Sequence, residues 1–157
     1  MPTSSRLNKL VAFIFLIIVA LDQISKYWIV SNMVIGEIWE IFPFLNLVSV
    51  RNKGISFGVL YGALHPMIFV IGSLCIIAFL IVYYKDQLYY RLPLGLIVSG
   101  AVGNIIDRIV YGAVVDFVDF HISTHHWPAF NLADSAIVIG VFAMIIISYC
   151  LEENYEK

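Results

Sequence analysis

The chain has 157 residues, of which 61% are hydrophobic and only 13% charged, and its net charge is −2. A soluble domain averages about 45–50% apolar and about 25% charged residues, so this chain holds more apolar side chains than one small core can hide. The balance offers nothing to nucleic acid and points to an integral membrane protein, one compact domain over residues 1–157.

Four apolar runs reach the roughly 20 residues that a helix needs to cross a bilayer. They cover about 10–30, 66–84, 92–111 and 132–151. The first follows a short basic lead (Arg6, Lys9) and could pass for a secretory signal peptide. No small-x-small cleavage pattern follows it, and the helical pattern continues through Asp22 to Val30, so a retained helix is expected. Asp22 and Lys26 are four apart on that helix, which puts them on one face as an ion pair toward its outer end.

The connection 31–65 is rich in β-branched and aromatic residues, broken at Pro43 and Gly54. It reads as short strands at the membrane interface. Trp39, Phe42, Phe44, Phe57 and Trp127 suit the headgroup level. Pro66 and Pro93 stand at span starts, where a missing N–H costs little. Cys75 and Cys150 lie within and at the end of apolar runs and read as small buried hydrophobes without a disulfide.

The third run is the most informative. Gly95, Ser99 and Gly103 recur every four residues, a small-residue stripe that admits a close neighbour, and Asp107 continues it. A parallel stripe runs Gly100, Asn104, Arg108. Asn104, Asp107 and Arg108 are therefore expected to face protein, either as a structural Asp–Arg clamp or as part of a site. Arg108 offers a planar fork of donors to a carboxylate or a carbonyl.

Four spans put both termini on one side. Arg6, Lys9, Lys85, Arg91 and Lys157 fall on that side, and Arg51 and Lys53 on the other. The positive-inside rule then places the termini in the cytoplasm and the connections 31–65 and 112–131 outside. Asp116 and Asp134 approach the outer surface from the third and fourth spans. Asp134 has a structural reading, a first-turn acid favoured by the helix dipole. Asp116 sits among Val114, Val115, Phe117 and Val118 with no basic neighbour in sequence. Two carboxylates close together in an apolar setting cannot both ionise, so one stays protonated while the other acts as base. That is the arrangement of an aspartic protease, although spacing alone does not bring the pair together.

Intramembrane carboxylates also mark proton-coupled transporters, but these favour midplane charges, broken helices and repeats, none of which the sequence carries. His121, His125 and His126 near Asp119 raise a metal hydrolase as a further alternative. "HISTHHWPAF" has no helix signal, so these histidines are expected in an interfacial loop, with Asp119 a solvated loop residue.

"DQISK" (22–26), "RNKGISFG" (51–58), "GNIIDR" (103–108), "VVDF" (114–117) and "FNLADS" (130–135) occur in this order across the chain. Together they resemble the lipoprotein signal peptidases, the bacterial signal peptidase II family. The resemblance implies four transmembrane helices, an outer β-cradle and a small interfacial helix, in the bacterial inner membrane. It implies an aspartic endopeptidase that cuts diacylglyceryl-modified prolipoproteins just before the lipid-modified cysteine, without metal or cofactor. Inhibition by the cyclic peptide globomycin is implied as well. Carried over by position, Asp116 and Asp134 match the catalytic pair. Asn52, Gly54, Asn104, Asp107, Arg108, Asn131 and Ala133 match positions that shape the site or hold substrate. Asp22 and Lys26 match a supporting pair. Ile55 and Ser56 depart from the small residues, typically alanine, common in the family at those positions.

Overall fold

The structure is a computed structural model and describes residues 4–54 and 65–155. Ile55, Ser56, Phe57 and Lys157 lie outside the described residues. The order of elements is α1 (Ser4–Asn32), β1 (Ile38–Phe42), β2 (Leu45–Asn52), α2 (Pro66–Tyr84), a 3-10 turn (Leu88–Tyr90), α3 (Arg91–Tyr111), β3 (Val114–Ile122), β4 (His125–His126) and α4 (Leu132–Tyr155). All four α-helices are long and apolar enough to cross a membrane. Large apolar side chains such as Phe13, Leu16, Phe79 and Phe142 are exposed around the bundle. In water such a belt would be a liability, and in a bilayer it is the surface that lipid covers. Cys75 and Cys150 belong to this exposed belt, so they are not buried as expected. Their apolar surroundings are lipid, not protein.

α3 is the axis of the bundle. Its buried residues include Ser99, Gly100, Gly103, Asn104 and Asp107, and α1, α2 and α4 all pack against it. The two small-residue stripes face different neighbours. A Cβ on Gly95 would stand 2.7 Å from Val11 Cγ1 of α1. One on Gly100 would collide with the Ala133 carbonyl oxygen of α4, and one on Gly103 would meet the Asp22 carboxylate at 2.5 Å. Gly100→Ala is therefore expected to lower stability by about 1–3 kcal/mol, the usual cost of overpacking. Gly72, with nothing within 4 Å of its hypothetical Cβ, is the matched control. Thermal unfolding in detergent should show a lower Tm for Gly100→Ala and none of that loss for Gly72→Ala.

The strands form one antiparallel sheet in the order β1-β2-β3-β4. β1 and β2 were expected in 31–65. β3 and β4 were not, since 112–131 read as a loop. β3 begins straight after α3 because Gly112, at φ 69°, takes the left-handed conformation that ends the helix and turns the chain. Val115 and Phe117 pack on Ile29 of α1 and on Met33, just past its end, in a small core. The strand's alternation aims Val114 and Asp116 to the other face. Among the described residues of 31–65 no helix follows Asn32, so the small interfacial helix is not among them.

Asp119 is on β3, 6% exposed, not solvated in a loop. It accepts hydrogen bonds from Asn46 Nδ2 at 2.9 Å and His126 Nδ1 at 2.9 Å. Sheet pairing sets Asn46 directly across from Asp119, so the partner comes from a strand distant in sequence. The histidines likewise sit in the β3–β4 hairpin, where His121 and His126 stack with ring centroids 4.9 Å apart. No three His, Cys, Asp or Glu side chains among the described residues converge as metal ligands.

Candidate active site

A cavity of about 510 Å³ opens where α3, α4 and the end of β2 meet β3. Asn52, Gly54, Asn104, Arg108, Asp116 and Asp134 all line it, so six of the positions singled out in the sequence share one space. Asp116 reaches it from β3. Asp134 reaches it from the first turn of α4.

The start of α4 is built by a reciprocal cap. Asn131 Oδ1 accepts from the Asp134 N–H at 2.9 Å, and Asp134 Oδ2 accepts from the Asn131 N–H at 3.3 Å. Two orphan donors of the helix end are satisfied, and the Asp134 carboxyl is held over its own N-terminus. The segment before the cap is tied to the sheet, with the Phe130 N–H donating to the Val118 carbonyl at 3.0 Å. Asn131 is thereby brought beside β3. Its Nδ2 donates to Asp116 Oδ1 at 2.7 Å, and also lies 3.2 Å from Asn104 Oδ1.

Each carboxylate meets amide donors and, among the described residues, no ion-pair partner. Asp116 Oδ2 accepts from Asn52 Nδ2 at 3.0 Å. Asp134 Oδ1 accepts from Asn104 Nδ2 at 2.8 Å. None of these three amides is free to flip. Asn52 Oδ1 accepts from the Gly54 N–H at 3.0 Å, Asn131 Oδ1 is committed to the cap, and Asn104 Oδ1 accepts from Lys26 Nζ at 3.0 Å. Burial, followed by the nearby charge of Asp134, pushes Asp116 from the ordinary 3.8 up to about 7, against the opposing hydrogen bonds from Asn52 and Asn131. A carboxylic acid in this place holds its proton near neutral pH.

Behind the cavity lies a second charged cluster. Lys26 Nζ is 2.8 Å from Asp22 Oδ2 and 2.9 Å from Asp107 Oδ2, and all three residues are 1% exposed or less. The expected Asp22–Lys26 pair is present, but it is a triad. Asp107 does not clamp Arg108. Its Oδ2 also accepts from the Val115 N–H at 2.9 Å, which fixes the start of β3 to α3. Asp22 Oδ1 accepts from the Ala133 N–H at 2.9 Å and so fixes the start of α4 to α1. Arg108 instead donates to the carbonyls of Asn104 and Gly54, at 3.2 and 3.3 Å, with its guanidinium 5.6 Å from the centre of the Phe69 ring. Two participants were not singled out in the sequence, Gln23 and Phe69. Gln23 Nε2 donates to Asp22, to Asp107 and to the Gly103 carbonyl. Its place inside "DQISK" was the available signal. Phe69, in an apolar run, carried none.

The comparisons with known proteins agree with this architecture. Residues 14–150 match the family model described as signal peptidase (SPase) II. A lipoprotein signal peptidase of Thermodesulfovibrio yellowstonii is 44% identical over 143 residues, covering 90% of this chain and 95% of the relative. One from Burkholderia thailandensis is 41% identical over 137 residues, 84% of this chain and 82% of the relative. A bacterial membrane enzyme solved by the in meso method at 2.3 Å resolution superposes with a TM-score of 0.81 at 38% identity, covering 95% of this chain and 92% of the other. Four membrane-spanning helices, a buried polar core beneath a small sheet and these likenesses along most of its length lead to one conclusion: the chain belongs to the signal peptidase II family of membrane aspartic peptidases, the lipoprotein signal peptidases.

Proposed function

We propose that this chain, as a single membrane-embedded peptidase domain, removes signal peptides from diacylglyceryl-modified prolipoproteins. The cut falls just before the lipid-modified cysteine, and Asp116 and Asp134 are the catalytic pair. The observation that carries this reading is that both carboxyls line one cavity, face amide donors and form no ion pair among the described residues. In the mechanism, ionised Asp134 takes a proton from water as the water oxygen attacks the carbonyl carbon. Protonated Asp116 hydrogen-bonds the developing oxyanion. The tetrahedral carbon then collapses, the C–N bond breaks, and the proton on Asp134 passes to the departing cysteine nitrogen. Asn52, Asn104 and Asn131 hold the two carboxyls in place, Gly54 and Arg108 shape the walls, and Asp107 and Ala133 act from behind by fixing β3 and α4 to the helices.

The lining of the cavity supports this substrate class. Beyond the pair it is lined by Ser73 of α2, Ala101 of α3 and Ile137 and Val138 of α4, a mostly apolar stretch. Acyl chains and an apolar signal segment would enter through it without leaving the bilayer, and displacing water there strengthens the hydrogen bonds of the pair. Both termini are cytoplasmic in this reading, the site faces outward in the bacterial inner membrane, and globomycin inhibits.

The reading is tested by incubating the purified chain in lipid with a diacylglyceryl-cysteine peptide and with its unlipidated twin, identifying products by mass. Cleavage before the cysteine in the first alone is expected. Equal cleavage of both would remove the lipid from the specificity. The pH dependence is a separate prediction. The neutral form of Asp116 is required, so kcat/KM should fall above a midpoint of about 7, roughly tenfold per pH unit, as that proton is lost. A profile flat from pH 6 to 9 would contradict the role given to Asp116.

A further inference from the structure

We infer that the groove between α1 and α2, at the end of the bundle remote from Asp116, is a site for one anionic phospholipid. Its phosphate rests on Lys85 and Arg91, and an acyl chain lies against Gly95 and Val98. Arg91 stands 13 residues before Asn104, which bonds Asp134, so the charged end of the groove lies about 20 Å along α3 from the catalytic pair. α2 packs along α3 and makes no comparable packing with α1. The gap holds about 520 Å³, with Val11, Phe15, Ile81 and Leu94 among its apolar walls. Among the described residues, Lys85 and Arg91 are the only charged ones that line it.

Cations near helix ends are common in membrane proteins. Arg91 is more than that, because it is held in position. Its Nη1 donates to Ser4 Oγ at 2.6 Å and to Asn8 Oδ1 at 2.9 Å, both on α1. Its Nη2 and Nε have no acceptor among the described residues, and Lys85 forms no ion pair among them although Asp86 is adjacent in sequence. Two cations at the mouth of an apolar slot match a phosphodiester with a hydrocarbon tail. They repel the basic end of a signal peptide. The consequence reaches the active site through α2, which contributes Ser73 to the catalytic cavity and Phe69 to the face of Arg108. A lipid in the α1–α2 gap supplies packing for α2 that α1 does not.

The test is lipid retention by the full-length protein in native mass spectrometry, with phosphatidylglycerol and phosphatidylcholine offered together. Preferential retention of phosphatidylglycerol is expected. Lys85→Gln with Arg91→Gln should weaken it about 25-fold, at roughly five-fold per cation. Lys85→Gln alone, at an exposed residue, should weaken it about five-fold and keeps the test valid if the double variant does not fold. Val98→Trp fills the slot while keeping both charges, and should also lose the lipid. Lys53→Gln, which does not line the groove, should retain it. Equal retention of the two lipids, equal loss in Lys53→Gln, or full retention in Val98→Trp would each overturn the site, the last two by reducing it to general surface charge. None of these outcomes depends on the peptidase reading.

Discussion

Asp116→Asn and Asp134→Asn should each lower kcat by about 10³-fold or more while the protein still folds and holds the lipidated peptide. The double variant should be little worse than either single one, because the two carboxyls act as a unit. The folding half of this expectation has its own signature. Asp116 has a folded-state pKa near 7 against 3.8, so the native state binds its proton more tightly than the unfolded chain does. The stability tied to that proton is fully present below about 3.8 and is lost as pH rises through about 7. An asparagine side chain does not titrate, so Asp116→Asn should gain on wild type in Tm between pH 6 and pH 9. It should start at a small deficit, since one of the new amide's N–H groups must face the Nδ2 of Asn52 or Asn131, whose amides are committed elsewhere. That mismatch costs about 1–3 kcal/mol. Cleavage that survives either substitution would sink the paired-carboxyl mechanism. Equal loss of folded protein at low and high pH would make Asp116 a structural group.

What could be read from the sequence was what repeats locally or is long enough to be a span. Hydropathy located all four spanning helices, and the four-residue recurrence of Gly95, Ser99 and Gly103 identified the face of α3 that packs closely. Local reading failed where the partner is distant. Asp107 was considered with its neighbour Arg108, yet adjacent residues on a helix point about 100° apart, and its cation is Lys26 of α1. Local sequence puts Asp119 in solvent because Asn46, its partner across the sheet, is 73 positions away. β3 escaped notice for a physical reason. Its first four residues, Val114 to Phe117, are all buried, since one face packs on α1 and the other closes the cavity. A strand covered on both faces does not alternate, and alternation is the signal by which a strand is read. Cys75 and Cys150 show the converse limit, because an apolar run does not distinguish a residue facing lipid from one facing protein.

Lys26→Met should be the most destabilising single change in the chain. The ammonium has three donors, and all three are used, on Asp22 Oδ2, Asp107 Oδ2 and Asn104 Oδ1. The triad of Asp22, Lys26 and Asp107 carries a formal charge of −1, and without the lysine it carries −2 with no water to screen it. Removing one partner of a buried ion pair costs about 3–5 kcal/mol, well above the roughly 0–1 kcal/mol of a surface pair. The damage should extend further than the triad, because each of its carboxylates ties another element to the helices. Asp107 holds the N–H of Val115 on β3, and Asp22 holds the N–H of Ala133 on α4. Those two elements deliver Asp116 and Asp134. Asp22→Asn keeps an acceptor and leaves Lys26 with Asp107, so it should cost less, and it should reduce yield and Tm more than kcat. Adding Asp107→Asn to Lys26→Met returns the formal charge to −1 and should recover part of the lost stability. Thermal unfolding of the four proteins in one detergent decides the matter. A loss below about 1 kcal/mol for Lys26→Met, or no recovery in the double variant, would mean that the triad is not the charged keystone between helices and sheet.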